Sequence, residues 1–342
     1  MSEQHRPVRI VDVAALAGVS PGTVSKALNN NGLLKDSTRD RVREAADKLG
    51  FVPHAGARSL HSRRTFTVGL LSTDNAGRFS LPVVLGAENA LLAGQVSALL
   101  ATARHDPVRE QHHIRTLVSR RVDGIIVTGR TTEPRAPIEA LAPVVYAFAP
   151  STDPEDASVV PDDATGMRQI VDHLRTLGHR RLAYVGGRED QRSSKVRHEA
   201  TRTAAAEQGM ELVGPPRFGE WSERWGRHAV DMLVADGLLG PESAEPVDAV
   251  VFASDQLARG GTDRLRERGL RIPEDVAVTG YDDWQVMSLA SRPPLTTVDM
   301  RLETLGQRAA ELLLAALDGE PLHGTEMLAP RLVVRESTLG TS

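Results

Sequence analysis

The sequence predicts two structural classes in one chain: an N-terminal all-α head built on a helix-turn-helix, then an α/β body of two lobes with parallel sheets. Three observations carry this. Residues 11–29 read as two short helices joined by a tight turn at Gly18. Residues 1–64 hold eleven Lys/Arg against six Asp/Glu, a net +5, while the remainder holds thirty against thirty-nine, a net −9. From Thr67 onward, short apolar runs alternate with amphipathic stretches, the pattern of parallel strands covered by helices on both faces.

In the head, Val13, Ala14 and Ala17 recur at helical intervals, Gly18 supplies a left-handed helix end, and Val19 fills the angle between the helices. Ser20 is the expected N-cap of the second helix, with Pro21 at the first helical position, where its missing N–H costs nothing. Such a second helix can enter the major groove of DNA. A third helix is expected from Ser37 to Leu49, carried by Val42, Ala45, Ala46 and Leu49 and stopped by Gly50, with Asp36 or Ser37 as its cap. Arg39, Arg41 and Arg43 fall on its flanks. After Phe51-Val52-Pro53, the stretch His54–Leu60 is short enough to be marginal as a helix in water, and Gly56 costs it about another 1 kcal/mol relative to alanine. It is expected to order only on binding.

The body reads as strands at Val68–Leu71, Val96–Leu100, Gly124–Val127, Val144–Tyr146, Leu182–Val185, Ala249–Phe252 and Val276–Val278. The series divides near Asp162, which gives two similar lobes with a cleft as the natural ligand site. At 342 residues the chain fits two or three domains.

Other chemistry finds little purchase. The chain has no cysteine, which removes disulfides and cysteine-ligated zinc and fits a reducing compartment. No run approaches eighteen apolar residues, so no membrane span is expected. The apolar run Ile10–Ala17 contains Asp12 and reads as helix rather than signal peptide. Gly18-Val19-Ser20-Pro21-Gly22 fits G-x-S-x-G formally, but a nucleophile elbow follows a strand and here a helix precedes it. No nucleotide-binding glycine loop appears. His112 and His113 lack the spacing and acidic partner of a helical zinc site and read as solvated helix residues. The expectation is a chain that is not an enzyme and carries no cofactor and no metal.

Four head motifs, Asp12 to Asn29, Thr38-Arg39-Asp40-Arg41-Val42, Leu49-Gly50-Phe51-Val52-Pro53 and Ala57-Arg58-Ser59-Leu60, stand in an order that resembles the lactose repressor (LacI/GalR) family of bacterial transcription regulators. The resemblance continues through Val122-Asp123-Gly124-Ile125-Ile126, Asp162 with Gly166, Leu177 to Ala183, Ile272 to Asp283, and Pro294 to Val298, so that it covers residues 9–338. It implies a periplasmic-binding-protein-like body with Rossmann-like lobes. The implied organisation is a head at 1–52, a hinge helix and linker at 53–64, lobe 1 at 65–161 plus 293–323, and lobe 2 at 162–292 plus 324–340.

Carried over by position, Pro21, Gly22 and Lys26 take the places that read base edges, while Thr23, Ser25 and Asn29 take those that touch phosphates. Arg58 and Leu60 fall in the hinge, with Leu60 as a minor-groove wedge. Pro21 and Gly22 have no side-chain donors, so direct readout is expected to fall on Lys26. The implied effector residues are Phe79, Ser80, Ser193, Arg197, Trp221, Ser254 and Asp282. Trp221 suits stacking on a sugar face, and Arg197 offers a fork of donors. Several departures stand out: Arg9 for a hydroxyl cap, Asp163 for Asn, Ser254 for Asn, and Phe148 where the family commonly has Asp.

Together these imply a cytoplasmic, ligand-responsive repressor that binds a pseudo-palindromic double-stranded operator as a homodimer, with a small-molecule effector, expected to be a carbohydrate. A purine or nucleoside is the alternative effector, and a solute-binding receptor without a DNA role the alternative class. The chain ends at Ser342 without a leucine-heptad tail, which favours a dimer over a tetramer.

Overall fold

The computed structural model describes residues 8–28, 32–51, 64–75 and 77–340. Two units follow each other along the chain, the first ending at Phe66 and the second beginning at Thr67.

The first unit contains α1 (Ile10–Ala17), α2 (Pro21–Leu28) and α3 (Asp36–Leu49). Val13, Ala14, Ala17, Val24, Ala27, Val42, Ala45 and Ala46 form its core, one apolar stripe from each helix. Gly18 adopts φ 64° and ends α1, its N–H reaching back to Ala14 and Ala15 carbonyls. Helix α3 begins one residue earlier than expected. Its N-cap is Lys35, without a side-chain cap bond, rather than Asp36 or Ser37. Arg9 opens α1 through its backbone: its N–H donates to Asp12 Oδ2 at 2.8 Å, so the acidic residue of the first turn does the capping. The segment 53–63, which holds the expected hinge helix, lies outside the described residues.

The second unit opens with β1 (Thr67–Ser72), α4 (Ser80–Ala93), β2 (Ser97–Thr102), α5 (Pro107–Ser119), β3 (Gly124–Thr128), β4 (Val144–Ala147) and β5 (Ala157–Pro161). Helix α6 (Asp163–Thr176) leads into β6 (Arg181–Gly186), α7 (Arg192–Glu207), β7 (Glu211–Leu212), β8 (Arg217–Phe218), α8 (Glu223–Ala235), β9 (Ala249–Phe252), α9 (Asp255–Glu267) and β10 (Ala277–Thr279). The chain closes through α10 (Gln285–Ser288), β11 (Thr297–Asp299), α11 (Leu302–Leu317), β12 (Thr325–Leu328), β13 (Arg331–Val333) and α12 (Glu336–Leu339).

Two parallel sheets result, ordered β12-β5-β4-β3-β1-β2 and β10-β9-β6-β7, with β8 also on β6. Their central strands are continuous apolar runs because both faces are covered. In the first sheet Val68, Leu70 and Ile126 face α4 and α11, while Leu71, Ile125 and Val127 face α5. The second sheet carries the core of the other lobe, with Met167, Ile170 and Leu174 of α6 against it.

The expected lobe boundaries at 293 and 324 both shift. Leu295, Val298 and Met300 are buried in the second lobe's core, so the crossing falls at Met300–Arg301, where Arg301 takes φ 55° just before α11. Strand β12 pairs in parallel with β5 of the first sheet, so the return crossing comes after Leu328. The antiparallel pair β11–β13 brings the two crossing strands together.

Each lobe also contains a helix pair in backbone contact. A Cβ on Gly86 of α4 would sit 1.9 Å from the Glu303 carbonyl oxygen, and one on Gly306 of α11 would sit 1.9 Å from that of Val83. In the second lobe, Gly226 and Gly260 play the same part between α8 and α9. Any side chain at these four positions would push the helices apart.

Candidate functional site

On the head, Ser20 caps α2 by accepting the Thr23 N–H at 3.1 Å. Val24 and Ala27 point into the core, which leaves Pro21, Gly22 and Lys26 exposed and Thr23 and Ser25 half-buried. These five residues share the outward side of one helix. Asn29, Arg58 and Leu60 lie outside the described residues.

In the second unit, a cleft of about 330 Å³ lies between the two sheets. Its walls come from segments that leave the carboxyl ends of the parallel strands: Asp74 and Gly77–Phe79 after β1, Arg130–Glu133 after β3, Phe148 after β4, Gln191 and Ser193 after β6, Trp221 after β8, Gln256 after β9 and Asp282 after β10. This is where open α/β sheets place ligands, because loops there are free to vary while the strands hold them.

Two aromatic surfaces furnish the cleft. Phe79 and Phe148 stack with ring centres 5.4 Å apart and planes 20° from parallel. Phe148 holds φ 80° and is buried, so the position at which the family pattern expects a carboxylate presents an apolar surface instead. Trp221 is partly buried, and its indole N–H donates to Gln191 Oε1. Gly187 makes room for it: a Cβ there would fall 2.0 Å from the indole Cε2.

The polar groups form one buried network. Arg197 Nη1 donates to the Ala253 carbonyl at 2.7 Å and lies 3.4 Å from Asp282 Oδ1, while Nη2 donates to Asp163 Oδ1 at 3.1 Å. Its guanidinium carbon sits 3.8 Å from the Tyr281 ring centre. Burial opposes the charge of Arg197, but the Asp163 and Asp282 carboxylates outweigh it and hold its pKa above the ordinary value. Burial pushes the Asp282 carboxyl upward, and Arg78 and Arg197 work against that rise. Asp282 itself takes φ 105°. Four cleft-lining polar atoms are buried without a hydrogen bond; Arg78 Nη1 and Asp282 Oδ2 face each other as an ion pair, while Thr132 Oγ1 and Arg197 Nε have no such partner, an arrangement that disfavours an empty dry cleft and favours a ligand or water rich in hydroxyls.

The structure brings Phe79, Ser193, Arg197, Trp221 and Asp282 to the cleft and leaves two expected residues behind it. Ser80 is fully buried and donates to Asp74 Oδ1 at 2.7 Å, so it acts on the cleft only through that carboxylate. Ser254 is also buried and caps α9, accepting the Leu257 N–H at 3.3 Å. The fork of Arg197 is largely taken by the protein, with Nε as its remaining donor. Asp163, at the family's Asn position, accounts for this by giving Arg197 a buried counter-charge.

Asp74, Arg78, Thr132, Glu133, Gln191 and Gln256 line the cleft without having been anticipated. A signal existed, since each follows an apolar strand run by a few residues. Among the described residues no group of three or more His, Asp or Glu is placed to hold a metal ion, and no helix is long and apolar enough to cross a membrane.

Comparison with known proteins agrees with both units. The profile for bacterial regulatory proteins of the lacI family matches residues 9–54, and that for a periplasmic binding protein-like domain matches residues 171–338. The HTH-type transcriptional regulator CelR of Thermobifida fusca is 35% identical over 348 residues, covering 98% of this chain and 100% of that protein. The HTH-type transcriptional repressor PurR of Vibrio vulnificus is 30% identical, covering 96% and 98%. Among solved structures, the lac repressor dimer bound to operator and the anti-inducer ONPF matches with TM-score 0.75 at 25% identity, covering 97% of this chain and 99% of that one. A CelR–cellobiose complex matches with TM-score 0.66 at 32% identity, covering 97% and 100%. The helical head and two-lobed body therefore define a DNA-binding transcriptional regulator of the one-chain, effector-responsive type. The chain belongs to the lacI family of bacterial regulatory proteins.

Proposed function

We propose that this chain is a cytoplasmic repressor that binds a pseudo-palindromic operator as a homodimer and is controlled by a carbohydrate of about disaccharide size. The observation that carries the effector reading is the cleft itself. It sets an indole and a stacked Phe79–Phe148 pair beside buried, hydrogen-bond-deficient atoms of Thr132 and Arg197. Aromatic faces suit the C–H faces of a sugar ring, and the deficient atoms suit its hydroxyls. The similarity to a regulator solved with cellobiose makes a glucodisaccharide the first compound to try.

On the DNA side, Lys26 is the exposed donor at the base-reading positions of α2, while Thr23, Ser25 and Asn29 contact phosphates. Arg58 and Leu60 order with the hinge on the operator, Leu60 as a wedge. Pro21 and Gly22 let the helix approach closely without reading bases through side-chain donors. Ser20 has a capping role, and no residue is assigned a catalytic one.

The test is operator binding by the full chain, first selected from genomic DNA and then measured by fluorescence anisotropy with and without cellobiose. A coupling of about 1–3 kcal/mol changes operator affinity about 5-fold to 150-fold, and its direction separates inducer from co-repressor. Lys26→Ala and Leu60→Ala are expected to lose the selected palindrome. A response to hypoxanthine or adenosine with none to sugars would replace the carbohydrate reading by the purine one. An operator affinity unchanged by either class would sink the effector mechanism.

A further inference from the structure

Helix α7 is sixteen residues long, and its first turn enters the cleft through Gln191 and Ser193. It has no acidic residue in that first turn and no side-chain cap from Gln191. The open N-terminus of such a helix attracts anions, since its free N–H groups and the aligned peptide dipoles both favour negative charge. Here a carboxylate already serves it. Glu133 Oε1 accepts the Arg192 N–H at 2.6 Å. Glu133 belongs to the segment after β3, in the first lobe, whereas α7 belongs to the second, so the bond spans the cleft.

Two of the three cations that line the cleft are similarly committed. Arg197 is held by Asp163 and Asp282. Arg78 lies 3.2 Å from Asp282 Oδ2 and between the Phe79 and Trp284 rings. Arg130 is exposed. Three cationic side chains, Arg78, Arg130 and Arg197, are matched by three acidic ones, Asp74, Glu133 and Asp282.

We propose that Glu133 makes the cleft a charge filter: by occupying the α7 N-terminus from the opposite lobe, it admits an uncharged polyhydroxyl ligand and rejects its phosphorylated or carboxylated counterpart. This rests on the carbohydrate reading for the ligand's skeleton, while the preference for neutrality rests on the Glu133 carboxylate held at the α7 N-terminus. A ligand anion seated in this partly dehydrated cleft would either meet the Glu133 carboxylate at short range or have to displace it from the helix end, and like charges so placed are costly.

Glu133→Gln is the informative change, because the amide oxygen keeps the bond to the Arg192 N–H while the charge disappears. Calorimetry on the full chain would compare cellobiose with cellobiose 6-phosphate and adenosine with adenosine 5′-monophosphate, with inorganic phosphate as a probe that needs no ligand skeleton. In the wild type the neutral member of whichever pair binds is expected to be favoured by about tenfold or more, and Glu133→Gln to narrow that gap by about fivefold. Glu133→Gln is also expected to gain phosphate binding that the wild type lacks.

Binding by the adenosine pair but not the cellobiose pair would overturn the sugar reading and leave the charge preference to be read from the adenosine pair. Equal or tighter binding of the charged member, or an unaltered ratio in Glu133→Gln, would overturn the filter. If neither pair bound, phosphate would decide: uptake by Glu133→Gln alone supports the filter, and equal behaviour of the two proteins overturns it.

Discussion

Arg78 Nη1 lies 3.2 Å from Asp282 Oδ2, joining the segment after β1 to the segment after β10 across the cleft. The guanidinium carbon is 4.2 Å from the Phe79 ring centre, in its own lobe, and 4.4 Å from that of Trp284, in the other. One cation thus ties both lobes through an ion pair and two rings. Arg78→Ala is expected to weaken effector binding about fivefold, since an exposed to partly buried cation–π contact is worth about 0.5–2 kcal/mol and the closed cleft would be less populated. Titration of the variant with the wild type's effector checks this, and an unchanged affinity would show that Arg78 does not help hold the lobes together.

Arg197 is a different kind of residue, buried with Asp163 and Asp282 on either side. Arg197→Met fits the space but strands two carboxylates, and removing one member of a buried ion pair costs about 3–5 kcal/mol. Urea unfolding of the body should show a loss of that order. A loss below about 1 kcal/mol would mean that water already compensates the network. A second exchange, Asp163→Asn, should restore part of the stability, because it removes one stranded charge.

Asp255 gives a pH signature. Its Oδ1 accepts the Thr297 hydroxyl at 2.6 Å and its Oδ2 the Trp284 N–H at 2.6 Å. Burial nevertheless pushes its carboxyl well above 3.8, and the neighbouring Asp282 charge adds to the rise. In the window between 3.8 and that raised value the folded chain binds the proton more readily than the unfolded one. The Asp255 contribution to stability therefore falls as pH rises through the window. Asp255→Asn, which can still accept from Trp284 and donate to Thr297, is expected to flatten this dependence and to match or exceed wild-type stability at pH 7. Thermal unfolding from pH 4 to pH 7 reads both, and an undiminished slope would assign the dependence to other groups.

Gly306→Ala tests the helix crossing in the first lobe. Its Cβ would meet the Val83 carbonyl oxygen at 1.9 Å, a backbone atom that cannot turn aside. Overpacking of this kind costs about 1–3 kcal/mol, which lowers Tm by a few degrees in a body of this size. The residue lies outside the cleft lining, so effector affinity measured well below Tm should change little. An equal Tm would mean that α4 and α11 can separate without strain.

The head was legible in the sequence almost residue by residue. Its signals are local: a left-handed glycine at Gly18, a hydroxyl cap at Ser20, and apolar stripes at helical spacing. Each is satisfied within a few residues of where it is written. The small error at α3, capped by Lys35 rather than Asp36 or Ser37, is the ordinary uncertainty of a helix end. The class of the body was legible too, because parallel strands buried on both faces must be written as unbroken apolar runs.

What only the tertiary structure decided is which polar residues meet in the cleft. Ser80 and Ser254 are effector residues by the family resemblance, yet one is held by Asp74 and the other caps a helix. Glu133 and Arg78 carry no local mark, and their roles arise from partners 59 and 204 positions away, Arg192 and Asp282. The lobe crossings moved for the same reason: β12 belongs to the first sheet because of the register it finds with β5. Sequence settles what is satisfied by neighbours along the chain, helix ends and strand burial above all. Charge pairing and cleft lining are satisfied by neighbours in space, and these exist only once the two lobes have folded against each other.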